Sequence, residues 1–378
     1  MGITAYSVII SVLFYNLSLI VVFLLSRSGL IRAKYTSALL LLLTFLGAVR
    51  LLIPIDLDQA YVIRSNKVLP AIEDALSKPL LGTISPGRLL LLIWAAGTVV
   101  FILRDIVKLR SGRLAAEQFK TAENERVSRI AEEFGNGFDL KISPDVDLPY
   151  VAGFFHPVIF LPDAELSDEE WRDIFRHETQ HIKARDEWKK LFFRTIRAIF
   201  WWNPLVHMSE EDISLLIEMQ CDERVAGSGS LDEQEGYLRT MVALMKRYAY
   251  GDAPVGASRM VGREKEMKIR FEALLAPKTK RDKWVRSAMT VLMAVLFVAS
   301  YLVIIQPIRF PSDEEMSAYL EGHTAYDVSP DIIENADQFI LFEDGKYSLY
   351  IDGAYVSDID EAFLDDPYFN TIPVYGGD

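Results

Sequence analysis

Residues 167–186 read Ser-Asp-Glu-Glu-Trp-Arg-Asp-Ile-Phe-Arg-His-Glu-Thr-Gln-His-Ile-Lys-Ala-Arg-Asp. Ser167 and Glu170, three residues apart, have the form of a capping box. Trp171, Ile174 and Phe175 then recur at helical spacing, so a helix is expected to run past His181. Within it His177-Glu178-Thr179-Gln180-His181 is an H-E-x-x-H pattern. Histidines at i and i+4 share one helix face and can hold one zinc ion between them. Glu178, beside the first histidine, is positioned to act as general base toward water.

A catalytic zinc takes three protein ligands and leaves a fourth position open. Downstream, Ser209 with Asp212 is expected to cap a second helix that ends near Gly227. That helix carries Glu218 and Asp222, again i and i+4. Glu218 is the expected third ligand, and Asp222 is expected to accept the outer N–H of a ligand histidine and fix its tautomer. A solvated acidic face is the competing reading, but the apolar neighbours Leu215, Leu216, Ile217 and Met219 favour an inward face. Cys221, one turn from Glu218, reads as a small buried residue more than as a ligand. His207 reads as a packing or surface residue more than as an oxyanion donor. Trp201 and Trp202 fit either an interfacial belt or a core.

Outward from this region the chain becomes apolar in blocks. Met1 to Ser26 carries no charge, nor do residues 35–49, 89–103 and 287–308. About 20 apolar residues cross a ~30 Å hydrocarbon core, so four membrane helices are expected: Thr4 to Leu25, Tyr35 to Pro54 with Arg50 snorkelling to the interface, Leu89 to Leu103 with help from its flanks, and Ser287 to Ile308. No basic residue precedes the first run and no small-residue site closes it, which disfavours a cleaved signal peptide. Lys and Arg cluster after the first and third runs and before the fourth. By the positive-inside rule the amino terminus is outside, the region between the third and fourth helices inside and the tail outside.

The net charge of −13 is uneven. From Pro307 onward there are 17 acids and 2 bases, while the other 306 residues hold 36 acids and 38 bases. No broad basic surface suggests nucleic acid as a direct ligand. The single cysteine excludes an intramolecular disulfide. In the tail, Phe339 to Phe342, Tyr347 to Ile351 and Ala354 to Val356 alternate like strands, with Asp344-Gly345 and Asp352-Gly353 between them. A three-stranded meander is expected there. Expected domains are residues 1–104 with three membrane helices, 105–284 as a cytoplasmic domain, 285–308 as the fourth membrane helix, and 309–378 as an extracellular acidic tail.

The run His177 to Asp186, the stretch Phe200-Trp201-Trp202-Asn203-Pro204-Leu205-Val206 and Glu218-Met219-Gln220-Cys221-Asp222-Glu223 resemble the BlaR/MecR group of bacterial membrane zinc metallopeptidases. Pro149 to Gly153 and Pro157 to Pro162 are similar to that group as well. The resemblance implies a fold that is mainly α with a small sheet: a gluzincin-like zinc domain set between membrane helices three and four. It implies a zinc endopeptidase in the cell membrane that relays an outside signal by cleaving a cytoplasmic transcriptional repressor. Cleavage of the chain itself within residues 105–284 and a homodimer remain open. It also implies that an edge strand, Val158-Ile159-Phe160-Leu161, holds an extended protein substrate by backbone hydrogen bonds. In the β-lactam-sensing members a penicillin-binding domain with a Ser-x-x-Lys nucleophile follows the last membrane helix. Here none of Ser312, Ser317, Ser329, Ser348 and Ser357 has a lysine three positions on. A quality-control protease of the prenyl-protease or heat-shock type, a non-catalytic receptor and a partner-binding scaffold stand as alternatives.

Overall fold

The computed structural model describes residues 5–28, 36–55, 61–65, 68–79, 84–227, 229–250, 257–276, 280–307, 338–343, 345–351, 354–361, 364 and 372–375. In chain order the elements are α1 (Ala5–Ser26), α2 (Thr36–Leu52), β1 (Tyr61–Ser65), α3 (Val68–Ser77), α4 (Pro86–Gln118), α5 (Glu125–Glu132), β2 (Asp139–Ser143), β3 (Tyr150–Ala152), β4 (Val158–Pro162), α6 (Asp168–Ala184), α7 (Asp186–Ile199), α8 (Pro204–Val225), α9 (Leu231–Tyr250), α10 (Ala257–Leu274), α11 (Lys280–Leu302), β5 (Val303–Pro307), β6 (Gln338–Glu343), β7 (Lys346–Ile351), β8 (Ala354–Ile359) and β9 (Val374–Tyr375). The chain is mainly helical, and it divides into two compact units, Met1–Tyr61 with Gly87–Ile304 and Val62–Pro86 with Ile305–Asp378.

Among the described residues, three helices are long and apolar enough to cross a membrane: Tyr6–Ser26, Pro86–Gln118 and Lys283–Leu302. The second expected span, α2, is apolar but only 17 residues long. Ser11, Ser18 and Thr44 donate their hydroxyls to carbonyls four residues back, which satisfies polar groups inside otherwise apolar helices. Arg50 does not snorkel. It is 1% exposed and donates to the Ser300 carbonyl of α11, with its guanidinium over the Tyr301 ring. The last apolar helix ends at Leu302, short of the expected Ile308, because the β-branched run Val303-Ile304-Ile305 enters β5.

The zinc-motif region packs as a helix layer on a small sheet. The sheet order is β2-β4-β3, with β2 parallel and β3 antiparallel to β4. Ile159 and Leu161 of β4 pack with Trp171, Ile174 and Phe175 of α6 in one buried cluster. The sheet corrects an expectation: Val158-Ile159-Phe160-Leu161 is the central strand, paired on both sides, and the edge near α6 is β3. Its apolar residues are buried because neighbours cover it from both directions, as central strands require.

The helix carrying Glu218 begins earlier than expected. Asn203 caps α8 by accepting from the Leu205 N–H, and Pro204 occupies its first turn. Ser209 and Asp212 therefore lie inside the helix. Asp212 accepts instead from Ser26 and Arg27 at the end of α1. Ile213, Leu215, Leu216, Ile217 and Met219 of α8 pack against Val22, Leu40, Leu41 and Leu43 of the apolar helices and Met293 of α11.

In the second unit β1 pairs with β5, and four further strands form a sheet of order β8-β7-β6-β9. The expected three-stranded meander is β6-β7-β8, to which β9 adds a parallel fourth strand. Gly345 takes φ +76°, the left-handed conformation of a tight hairpin turn. Asp344 and the Asp352-Gly353 pair lie outside the described residues.

Candidate metal centre

The capping box forms as expected. The Ser167 hydroxyl accepts from the Glu170 N–H at 3.3 Å, and the Glu170 carboxylate accepts from the Ser167 N–H at 2.7 Å. With α6 started there, its apolar stripe against the sheet turns His177, Glu178 and His181 inward, and all three are buried. The helix stops at Arg185, which adopts the left-handed conformation at φ 55°. This sharp reversal starts α7 at Asp186 and brings that carboxylate back to His181.

His181 Nδ1 lies 2.7 Å from Asp186 Oδ2, and His177 Nδ1 lies 2.7 Å from the Tyr237 hydroxyl, which donates to Asp222 Oδ1 at 2.7 Å. A neutral imidazole that donates from Nδ1 to these partners presents the lone pair of its Nε2 to an ion. The two Nε2 atoms face one another at 3.1 Å. Glu218 closes the triangle, with Oε2 3.4 Å from His177 Nε2 and Oε1 3.6 Å from His181 Nε2. Arg270, from α10, holds Asp222 at 2.7 and 2.8 Å and reaches Glu218 at 3.3 Å.

Charge in the site favours a cation. Burial alone would depress both imidazoles, but Cys221 and Glu218 outweigh it at His177 and raise its pKa well above the ordinary value. At His181 burial is likewise outweighed, here by Asp186, Cys221 and Glu218, which lift it to about 10. Burial would raise Glu218, but His177 and Arg270 hold its carboxyl well below the usual carboxylate range. Glu178 goes the other way, pushed up by burial more than His177 and His181 pull it down.

These residues fit a zinc ion. Four tetrahedral ligands at about 2.0–2.1 Å from zinc are about 3.3 Å apart, close to the spacing among the two Nε2 atoms and the Glu218 oxygens. Two facing lone pairs and a carboxylate also repel one another unless a cation lies between them. The His177, His181 and Cys221 donors form a second close group. However, Cys221 Sγ approaches His177 at Nδ1, 3.5 Å away, and at the backbone carbonyl. Its contacts with His177 thus fall at the ring nitrogen already engaged by Tyr237 and at the backbone.

Asp222, expected to bond a histidine directly, is 3.6 Å from His177 Nδ1 and reaches it through Tyr237. Tyr237 and Arg270 carry no signal in the sequence, since only tertiary packing brings α9 and α10 to the site. Asp186 had one, five positions after His181 and just beyond the motif. His207 is not at the site. Its Nε2 bonds the Trp201 carbonyl at 2.8 Å, and it precedes Glu218 by eleven residues, about 16 Å along α8.

With that geometry in place, the comparisons are informative. The profile of the family described as BlaR1 peptidase M56 matches residues 59–274, more than half of the chain. Among curated proteins, the chain is 26% identical over 149 residues to the methicillin resistance mecR1 proteins of Staphylococcus aureus and Staphylococcus epidermidis, covering 36% of this chain and 25% of each relative. It is 26% identical over 138 residues to the regulatory protein BlaR1 of Bacillus licheniformis, covering 34% of this chain and 23% of that protein. The aligned region spans about a quarter of the length of these relatives.

Proposed function

The chain belongs to the BlaR1 peptidase M56 family, and from that membership we propose that it is a zinc endopeptidase of the cell membrane, cleaving a cytoplasmic regulator so that transcriptional repression is relieved. A membrane metallopeptidase-type signal transducer follows from the family; the regulator as substrate is part of the proposal. The observation that carries the peptidase reading is the close triangle of His177 Nε2, His181 Nε2 and the Glu218 carboxylate beside Glu178.

In this reading His177, His181 and Glu218 hold the ion. The chemistry that zinc supplies in such a site is Lewis-acid polarisation of a peptide carbonyl. The protein's own residues do the rest. Asp186 and the Tyr237–Asp222 pair orient the two imidazoles, and Arg270 fixes both carboxylates of α8. Glu178 takes the proton of the attacking water on its carboxylate and passes it to the leaving amine nitrogen. An extended substrate segment is best accommodated along β3, Tyr150–Ala152, which among the described residues is an edge strand paired with β4 alone. The regulatory role comes from the relatives named as resistance and regulatory proteins.

The test compares the membrane and cytoplasmic proteomes of cells carrying the native chain and Glu178→Ala, under inducing and resting conditions. Accumulation of one regulator in the variant is expected. Accumulation of many membrane proteins would point to quality control instead, and no change at all would leave only a receptor or scaffold.

A further inference from the structure

The loop between α7 and α8 touches α1 at the middle of its span and α4 near the centre of its charge-free run. Asn203 Nδ2 donates to Asn16 Oδ1 at 2.6 Å, and Asn16 is the central residue of the 6–26 span. On the other side, Trp94 Nε1 donates to the Ile199 carbonyl at 2.8 Å, and Trp201 Nε1 donates to the Trp94 carbonyl at 3.2 Å. Trp201 also lies so close over Gly97 that a Cβ there would come within 2.2 Å of its indole. Gly97 is next to the centre of the charge-free run 89–103. Two helices thus give the same depth independently. From these contacts we infer that α7 and α8 form a re-entrant hairpin whose tip, residues 200–203, lies near the middle of the bilayer among lipid chains.

The register along α1 agrees. Asn16 meets Asn203, and Ser26 and Arg27 meet Asp212. Ten residues on α1 and nine on α8 separate these contacts, about 15 and 14 Å, so the helices run side by side through the inner half of the span. Non-helical backbone in a membrane interior must be satisfied within the protein, and several groups of the tip are satisfied in this way. The Asn203 N–H donates to the Phe200 carbonyl, the Ile199 carbonyl accepts from Trp94, and the Trp201 carbonyl bonds His207. Around the tip Trp202 is 49% and Met208 54% exposed, and Pro204 is exposed too; the exposed His207 has its ring nitrogen held by the Trp201 carbonyl. Arg197, the charge nearest the tip on α7, reaches Asp105 just beyond the apolar run of α4, as a snorkelling side chain does.

The domain boundary expected at residue 105 changes accordingly. Residues from about Thr195 to Met208 belong to the membrane, and α8 leaves it about two or three helical turns before Glu218.

Spin labels on introduced cysteines test this in the full chain reconstituted into phospholipid vesicles. The native Cys221 is buried, and an unsubstituted chain controls for its labelling. Labels at Trp202→Cys and Pro204→Cys should be relaxed more by oxygen than by a water-soluble nickel chelate, as a label at Leu17→Cys on α1 should be. A label at Glu211→Cys should favour nickel. Nickel-favoured relaxation at both 202 and 204, with 17 still oxygen-favoured, overturns the inference. Should either cysteine variant fail to reconstitute, loss on Trp202→Phe of the fluorescence quenched by lipids brominated at mid-chain gives the same answer; quenching unchanged by that substitution overturns it. Neither readout depends on peptidase activity, so this result and the fate of the proposed reaction are separable.

Discussion

At the scale of single residues, the account rests on hydrogen bonds that orient two imidazoles. The Tyr237 hydroxyl links His177 to Asp222. Tyr237→Phe should lower zinc affinity about 10- to 100-fold, the usual effect of removing a partner of a ligand histidine, with unchanged helix content. Competition with a chromophoric chelator measures it, and unchanged affinity would remove Tyr237 from the site. Asp222→Ala should be more severe, because it leaves the buried Arg270 without its main partner. A loss of stability of about 3–5 kcal/mol is expected, read by denaturant unfolding in detergent; a change under 1 kcal/mol would contradict that role. The histidines were legible in sequence because both sit on one helix at fixed spacing. Tyr237 was not, since 60 residues separate it from His177 and its helix shows no pattern of its own.

At the scale of elements, the sequence was clearest where local chemistry acts alone. The Ser167–Glu170 box and the apolar stripe of α6 are local, and both formed. Two capping signals compete before Glu218: Asn203-Pro204 and Ser209 with Asp212. Packing of the first turns of α8 selected the earlier one, with Val206 buried beside Tyr15 and Leu19 of α1. For β4, the edge-strand reading of Val158 to Leu161 came from the resemblance, whereas a continuous apolar run is the pattern of a strand covered on both sides. The tightest helix-to-helix seat is Gly97 under Trp201. Gly97→Leu should cost about 1–3 kcal/mol through overpacking. Adding Trp201→Ala should recover part of that loss in a double-mutant cycle. Strict additivity of the two substitutions in thermal unfolding would show that they do not touch.

At the scale of the whole molecule, the helix that carries Glu218 and the apolar helices share one core. Leu216 and Ile217, beside Glu218, pack in the same cluster as Leu40, Leu43 and Met293. An ion that binds only the folded chain should therefore stabilise the whole unit, by about 4 kcal/mol at a thousandfold excess over its Kd. A chelator should lower the unfolding temperature, and zinc should restore it; a temperature indifferent to both would count against a shared core. The same packing gives α11 a direct path to the site. Truncation after Arg309 should change cleavage at matched membrane levels, whereas equal activity under every stimulus would make the tail a structural cap. Signal and substrate were not legible in sequence, because they depend on surfaces and partners that no spacing rule encodes. The central claim is the ligand set, and zinc content of the purified full-length chain tests it most directly. One zinc per chain is predicted for the native protein, Glu178→Ala and Cys221→Ala, and loss of that zinc for His177→Ala and Glu218→Gln. Zinc retained in Glu218→Gln but lost in Cys221→Ala would contradict the account.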